Sequence, residues 1–306
     1  MQPLRGIMFK LLSVCMFMLM SSLIKAASTE VPPGEAVFFR SFFALPIIFG
    51  WLAIRGELHD GWKTINPMGH FWRGLVGTSA MGLGFTGLGL LPLPEVTAIG
   101  YAAPLLVVIF AAMFLNEKVG VVRLSAVAMG MAGVLIVLSP RLSVGATPND
   151  TETLGAVVVL MGAVMAALAQ VFVRKLVSTE GTAAIVLWFS VTSTILSLFT
   201  IPWGWALPSP MAAVMLVTAG LIGGLGQIFL TSSYRFADAS LVAPFDYSSM
   251  ILALAIGYFV FDEIPTGTML LGASVVIAAG VMIIWRERQL GLKRARQRKA
   301  TGNVGG

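Results

Sequence analysis

Asp246 and Tyr247 stand side by side inside an apolar stretch, about seven residues into the run that begins near residue 239. A carboxylate at that depth is costly unless it faces a cavity or a partner, so it is a candidate for handling a solute or a proton, with a structural ion pair as the equal alternative. Two cations could answer it: Lys10, about four residues into the first apolar run, and Arg235. Lys10 is also near enough to the run's start to snorkel to lipid headgroups. Arg40 follows Phe38-Phe39 and precedes Phe42-Phe43, a setting for an interfacial anchor, a cation–π contact or a gate. Glu117 and Glu263 close two apolar runs at opposite mouths and are gate candidates, although solvated acids at an interface need no such role. Gln170 and Gln227 are harder to satisfy within their own helix than Ser or Thr and are candidate solute contacts. Tyr101, Tyr247 and Trp188 offer rings on which a flat solute could stack, though aromatic residues also gather at membrane interfaces.

Enzymatic chemistry has little to work with. His59 and His70 both fall in a polar connection, and Cys15 is the single cysteine, inside an apolar run. No helix carries two acids at i, i+3 or i+4, no HExxH occurs, and no GxxxxGK[ST] loop is present. An intramembrane enzyme is therefore the remote reading. No metal and no cofactor is expected, and nothing suggests nucleic acid, since the excess of six positive charges lies mainly beyond Trp285.

The elements that would hold these residues are membrane helices. Hydrophobic residues make up 57% of the 306, charged residues 11%, and mean hydropathy is +0.90, so the solvent must be lipid. A span needs about 20 apolar residues. Ten runs qualify, at 6–26, 34–54, 72–91, 95–115, 121–139, 153–173, 183–203, 210–232, 239–260 and 267–285. Arg5 and Lys10 before Leu11 to Ile24 have the outline of a signal peptide, but Lys25 falls where a cleavage site wants small residues. With the N-terminus cytosolic, 17 of the 20 basic residues fall on the inner side, leaving Lys25, Arg40 and Arg141 outside. Both termini are then cytosolic.

The chain also repeats itself. GLVG at 74–77 returns as GLIG at 220–223, and the same 146-residue shift carries Tyr101 to Tyr247, Leu106 to Leu252 and Glu117 to Glu263. Beyond that glutamate the shift is 147, bringing Ala132-Gly133-Val134 to Ala279-Gly280-Val281. Residues 1–142 and 153–288 are read as two copies of a five-helix unit, and 289–306 as a basic tail expected to lack structure. Five helices per copy makes the second enter the membrane from the opposite side, an inverted repeat. Gly77 and Gly223 hold matched places on glycine-rich helices expected to flank a central pathway.

PEVTAIGYAAPLLVVIFAAMFLNEKV in the first half, ADASLVAPFDYSSMILALAIGYFVFDEIP in the second, and the opening FKLLSVCMFMLMSSLIK resemble the drug/metabolite transporter superfamily, in its ten-helix EamA-type branch. The resemblance implies an all-α integral membrane fold of two inverted five-helix repeats in a bacterial inner membrane. It also implies alternating-access carriage of a small organic solute bound between the repeats. The wording of helices 1 and 9 is similar to the riboflavin and S-adenosylmethionine groups; riboflavin uptake is the first expectation, with S-adenosylmethionine carriage or export of amino acids and other metabolites as alternatives. A monomer and a homodimer both suit the pattern. Two positions depart from it: Asp246 stands where many relatives have Glu, and Met250 where the first copy has Pro104.

Overall fold

The computed structural model describes residues 3–115, 120–142, 150–177, 179–236 and 243–302. Glu117 and most of the link between the halves lie outside them. The described residues contain helices and no strand. In the first half these are α1 (Pro3–Ala27), α2 (Pro33–Phe42), α3 (Ala44–Ile54), α4 (Pro67–Leu90), α5 (Leu93–Gly100), α6 (Ala102–Leu115) and α7 (Val121–Leu142). In the second they are α8 (Asp150–Val177), α9 (Thr182–Leu198), α10 (Pro210–Phe236), a 3-10 turn (Ala243–Tyr247), α11 (Ser248–Phe261) and α12 (Gly267–Gly302). Five runs are long and apolar enough to cross a bilayer, and four shorter apolar helices accompany them. With α4, whose glycines, His70 and Arg73 lower its hydropathy, they occupy the ten expected places.

Proline sets the starts and the breaks. Pro33, Pro67 and Pro94 sit in first turns, where a missing N–H costs nothing, and the Asn66 side chain accepts from Gly69 N at 2.9 Å to cap α4. Pro46 and Pro104 lie inside expected spans. A proline ring clashes with the carbonyl four residues earlier, and the helices duly stop at Phe42 and Gly100. The second copy has Met250 in place of Pro104, and there a 3-10 turn ending at Tyr247 leads into α11. Both copies thus depart from regular α-helix at the matched tyrosines.

The packing exchanges partners between halves as a two-fold relation requires: α1 runs along α10, α4 along α8, and α7 along α12. The last pair crosses closely, because a Cβ on Gly272 would lie 2.7 Å from the Gly133 carbonyl oxygen. One core gathers Ala98, Leu105, Val134, Val159 and Val276 around α5 to α8 and α12; another gathers Ile24, Val37, Phe85, Leu216 and Ala253 around α1, α2, α4 and α10. Large apolar side chains such as Phe199, Trp203 and Phe259 face outward, as lipid contact demands.

At the end of the chain the backbone is helical through Gly302. The segment has no proline before Gly302 and is rich in Arg, Lys, Gln, Leu and Ala, all good helix formers.

Candidate functional site

Asp246 sits in the 3-10 turn that interrupts the ninth span, and its Oδ1 lies 2.7 Å from Lys10 Nζ on α1. Lys10 is 2% exposed, so it does not snorkel outward; Asp246 keeps 39% of its side-chain surface open. The pair joins the two copies near the start of α1. Beside it the broken ends meet. Tyr101 and Tyr247 pack edge-on with ring centroids 5.0 Å apart, and Tyr101 Oη shares a 2.7 Å hydrogen bond with Ser249 Oγ. Gly280 leaves the slot that the Tyr247 hydroxyl fills. The tyrosines thus lock the two interruptions together.

A second pair joins the same two spans at their other ends. Lys25, in the last turn of α1, is 2.9 Å from Glu263. Asp262 makes this possible by adopting the left-handed conformation (φ 54°), which an aspartate tolerates and which turns Glu263 back over α11. Gly257 clears the path: a Cβ there would lie 3.1 Å from Glu263 Oε2. Lys25 also donates to the Leu88 and Leu91 carbonyls at 3.1 and 2.7 Å, and Glu263 accepts from Leu93 N at 2.8 Å. The ends of α1, α4, α5 and α11 are tied in one knot. Lys25 and Lys10 are 15 residues apart on α1, about 22 Å along the axis.

Between these two clasps lies a feature that the sequence did not announce. Arg40 of α2 and Arg73 of α4 are 3% and 7% exposed, and their guanidinium carbons lie 5.5 and 3.9 Å from the centroid of one ring, Phe189 of α9. The partner of Arg40 is thus an aromatic ring of the other repeat, not its flanking phenylalanines, and Arg40 is no interfacial anchor. Nε and Nη1 of both arginines have no hydrogen-bond partner among the described residues, and neither do the buried hydroxyls of Ser41 and Ser190. Both guanidinium groups lie against the same ring, so two like charges share one small region. The matched glycines flank the pair: a Cβ on Gly77 would meet Arg73 Nη1 and Phe189, and one on Gly223 would lie 2.8 Å from Met20 Sδ and 3.3 Å from Arg40 Nε. Above it, toward the end of α1 that bears Lys25, a cavity of about 240 Å³ is lined by Ile24, Ala36, Phe85 and Leu216, with Ser28 and Thr86 as its polar members.

The other candidates fall elsewhere. Trp188 donates its indole N–H to the Trp62 carbonyl at 2.9 Å, which fastens the connection after α3. Gln170 is exposed on α8, and Gln227 is half-buried on α10. The side chain of Arg235 lies outside the described ones. His70 is not in a polar connection: it is buried in the first turns of α4, its Nε2 3.7 Å from Glu180 Oε2. Glu180 in turn accepts from Thr64 Oγ1 and from the backbone N–H groups of Ile65 and Asn66 at 2.7, 3.0 and 2.8 Å. Burial raises its pKa, but those hydrogen bonds and His70 outweigh burial and hold it below the ordinary carboxylate value.

Arg73 escaped the sequence reading because the third span was placed at 72–91. Starting at Pro67 instead, α4 carries Arg73 into its second turn. The available signal was Gly77, one turn further on, which gives an arginine at position 73 room to lie inward.

Comparison with known proteins assigns most of the chain. The family model described as "EamA-like transporter family" matches residues 4–139 and 153–286, the two copies. The chain is 28% identical over 286 residues to an S-adenosylmethionine uptake transporter of Rickettsia conorii, covering 94% of each chain. It is 28% identical over 291 residues to a riboflavin transporter of Rhizobium johnstonii, covering 93% of this chain and 89% of that one. It is 26% identical over 282 residues to the pseudopaline exporter CntI of Pseudomonas aeruginosa, covering 91% and 95%. A solved crystal structure superposes with a TM-score of 0.67 at 18% identity over 93% of this chain and 98% of that one, a likeness of fold.

Proposed function

The chain belongs to the EamA-like transporter family, and we propose that it carries a small organic metabolite across the bacterial inner membrane by alternating access, with both termini in the cytosol. The observation that supports this most is the pair of clasps, Lys10–Asp246 and Lys25–Glu263, which bind one helix of the first repeat to one span of the second at opposite ends. Opening one clasp while the other holds would expose the space between α1, α2, α4 and α10 to one side at a time. The Lys25–Glu263 knot is the outer gate in this reading and Lys10–Asp246 the inner one. Asp246, the more exposed of the two acids, is the one placed to exchange a proton when its lysine withdraws.

For the solute, the wording of the helices puts riboflavin uptake first, with S-adenosylmethionine carriage and amino-acid or metabolite export as alternatives. The curated relatives divide in the same way between uptake and export. Liposome assays with riboflavin, S-adenosylmethionine and amino acids, loaded inside or outside, sort these readings. Paired cysteines at 10 and 246, or at 25 and 263, in a Cys15→Ser background give a test of the mechanism. Joining either pair with a bifunctional thiol reagent should stop net movement of whichever solute the parent carries. Unchanged movement with both pairs joined would refute alternating access through these clasps.

A further inference from the structure

We propose that Arg40 and Arg73 form the binding site for a carboxylate of the transported solute. The inference rests on the carrier reading above and specifies its site.

An ion inside a bilayer-spanning bundle is normally paired or reaches the headgroups. Lys10 and Lys25 are both paired with carboxylates. Arg40 and Arg73 are as buried, yet they face each other's charge, and the described residues offer them only the face of Phe189. A cation–π contact offsets part of the desolvation of one guanidinium and cannot satisfy its five N–H donors. Among the described residues, Nε and Nη1 of each arginine are left without a hydrogen-bond partner. The fold makes room for this arrangement rather than relieving it. Gly77 lets Arg73 lie inward along α4, and Gly223 lets α10 close over Arg40.

What the donors want is a planar anion. A guanidinium fork matches the two oxygens of a carboxylate, and the second arginine supplies further donors for a charge taken out of water. The carbon skeleton of the same molecule has a place as well. Ala36 precedes Arg40 by one turn on α2, Ile24 lies one turn from Met20 on α1, and Phe85 and Leu216 lie two turns from Gly77 and Gly223. The 240 Å³ cavity therefore stands over the arginines on the same four helices, and its walls are mostly apolar. It is below the range of about 300–1,000 Å³ usual for drug-sized ligands, so the solute is small. An acid of modest size with an apolar or weakly polar body fits; riboflavin, which carries no acid group at neutral pH, leaves the arginines unanswered. The geometry thus reverses the order of candidates in favour of small amino-acid-like solutes; S-adenosylmethionine has the carboxylate but is as large as riboflavin.

The test is thermal melting of the purified full chain in detergent, followed by tryptophan fluorescence, with L-glutamate, L-methionine, S-adenosylmethionine, citrate, riboflavin, inorganic phosphate, chloride and an anionic lipid as probes. At least one organic acid should raise the melting temperature of the parent, and riboflavin should not. Arg40→Met and Arg73→Met should abolish that rise and, without any solute, melt several degrees above the parent, since each removes an uncompensated buried charge. Arg40→Lys and Arg73→Lys keep the charge without the fork and should weaken the acid at least tenfold. The site is refuted if no organic acid stabilises the parent, if phosphate, chloride or lipid alone does so, if both Met variants retain the rise, or if they melt below the parent as structural arginines would. Transport separates the two claims. Organic-acid binding with no solute moved in either direction refutes carriage and keeps the site; riboflavin moved equally by the parent and both Met variants keeps carriage and refutes the site.

Discussion

Lys10 and Arg40 are equally buried, but among the described residues Lys10 has a carboxylate partner and Arg40 has none, so their substitutions should differ in sign. Asp246→Asn leaves the Lys10 ammonium buried beside a neutral amide. Removing one partner of a fully buried pair costs about 3–5 kcal/mol, and the 39% exposure of Asp246 reduces the expected loss to about 1–3 kcal/mol. Lys10→Met in the same background should recover part of that stability by taking a buried charge away from the neutral amide, while accumulation of solute stays lost because the inner clasp is gone. A double variant no more stable than Asp246→Asn in thermal melting would show that Lys10 is not the partner that matters. The carboxylate was legible in the sequence from its depth in an apolar run. Its partner was not, because Lys10 and Arg235 are equally placed along the chain and only the packing of α1 beside the 3-10 turn brings Lys10 to the carboxylate.

Glycines at matched positions do unlike things once the helices are packed. Gly82 and Gly84 on α4 face open space, so Ala at either should be neutral or stabilise by up to about 1 kcal/mol through helix propensity. Gly77 lies on the same helix, but a methyl group there would displace the guanidinium of Arg73. That group is the end of a flexible side chain, but the Phe189 ring 2.8 Å away must shift as well, so Gly77→Ala should cost some stability and much affinity; equal transport by Gly77→Ala and Gly82→Ala would count against the placement of Arg73. Gly272→Ala has no such escape, since it meets the Gly133 backbone, and it should lower abundance. At the connection after α3 the element is held by Glu180. Its pKa in the folded chain is below the ordinary 4.5, so its stabilising contribution is complete above that value and is lost as pH falls through the lower one. Hydrogen exchange at the Ile65 and Asn66 amides, corrected for its intrinsic pH dependence, should lose protection as pH falls, and Glu180→Gln should flatten that dependence. The helical breaks were half legible. Pro46 and Pro104 predict where α2 and α5 stop, whereas the break at Tyr247 has no proline at the matching place and shows only in the backbone.

The two copies meet as wholes through exchanged pairings, α1 with α10 and α4 with α8, and this part of the design was written in the 146-residue shift. Reporter fusions after residue 288 and within 140–153 should lie in the cytosol and outside respectively; both on one side would end the inverted arrangement. The basic-residue count behind that orientation survives the loss of Arg73, which is buried in the bundle and says nothing about headgroups. Sequence could give the plan of the molecule because each span must be apolar along its length. It could not give the site, because Arg40 and Arg73 come from different helices and converge on a ring of the other copy. That convergence gives the carrier an electrical character. Two uncompensated cations sit where a membrane potential falls, and a full crossing of 100 mV is worth about 2.3 kcal/mol per charge. When the empty molecule switches sides, the share of that potential swept past the arginines works on it, so an interior-negative cell draws the vacant site inward. A bound acid cancels part of the charge and releases the molecule from the pull. Voltage steps across a supported membrane should therefore evoke a larger displacement current from the empty protein than from the loaded one, and a smaller one from Arg73→Met than from either.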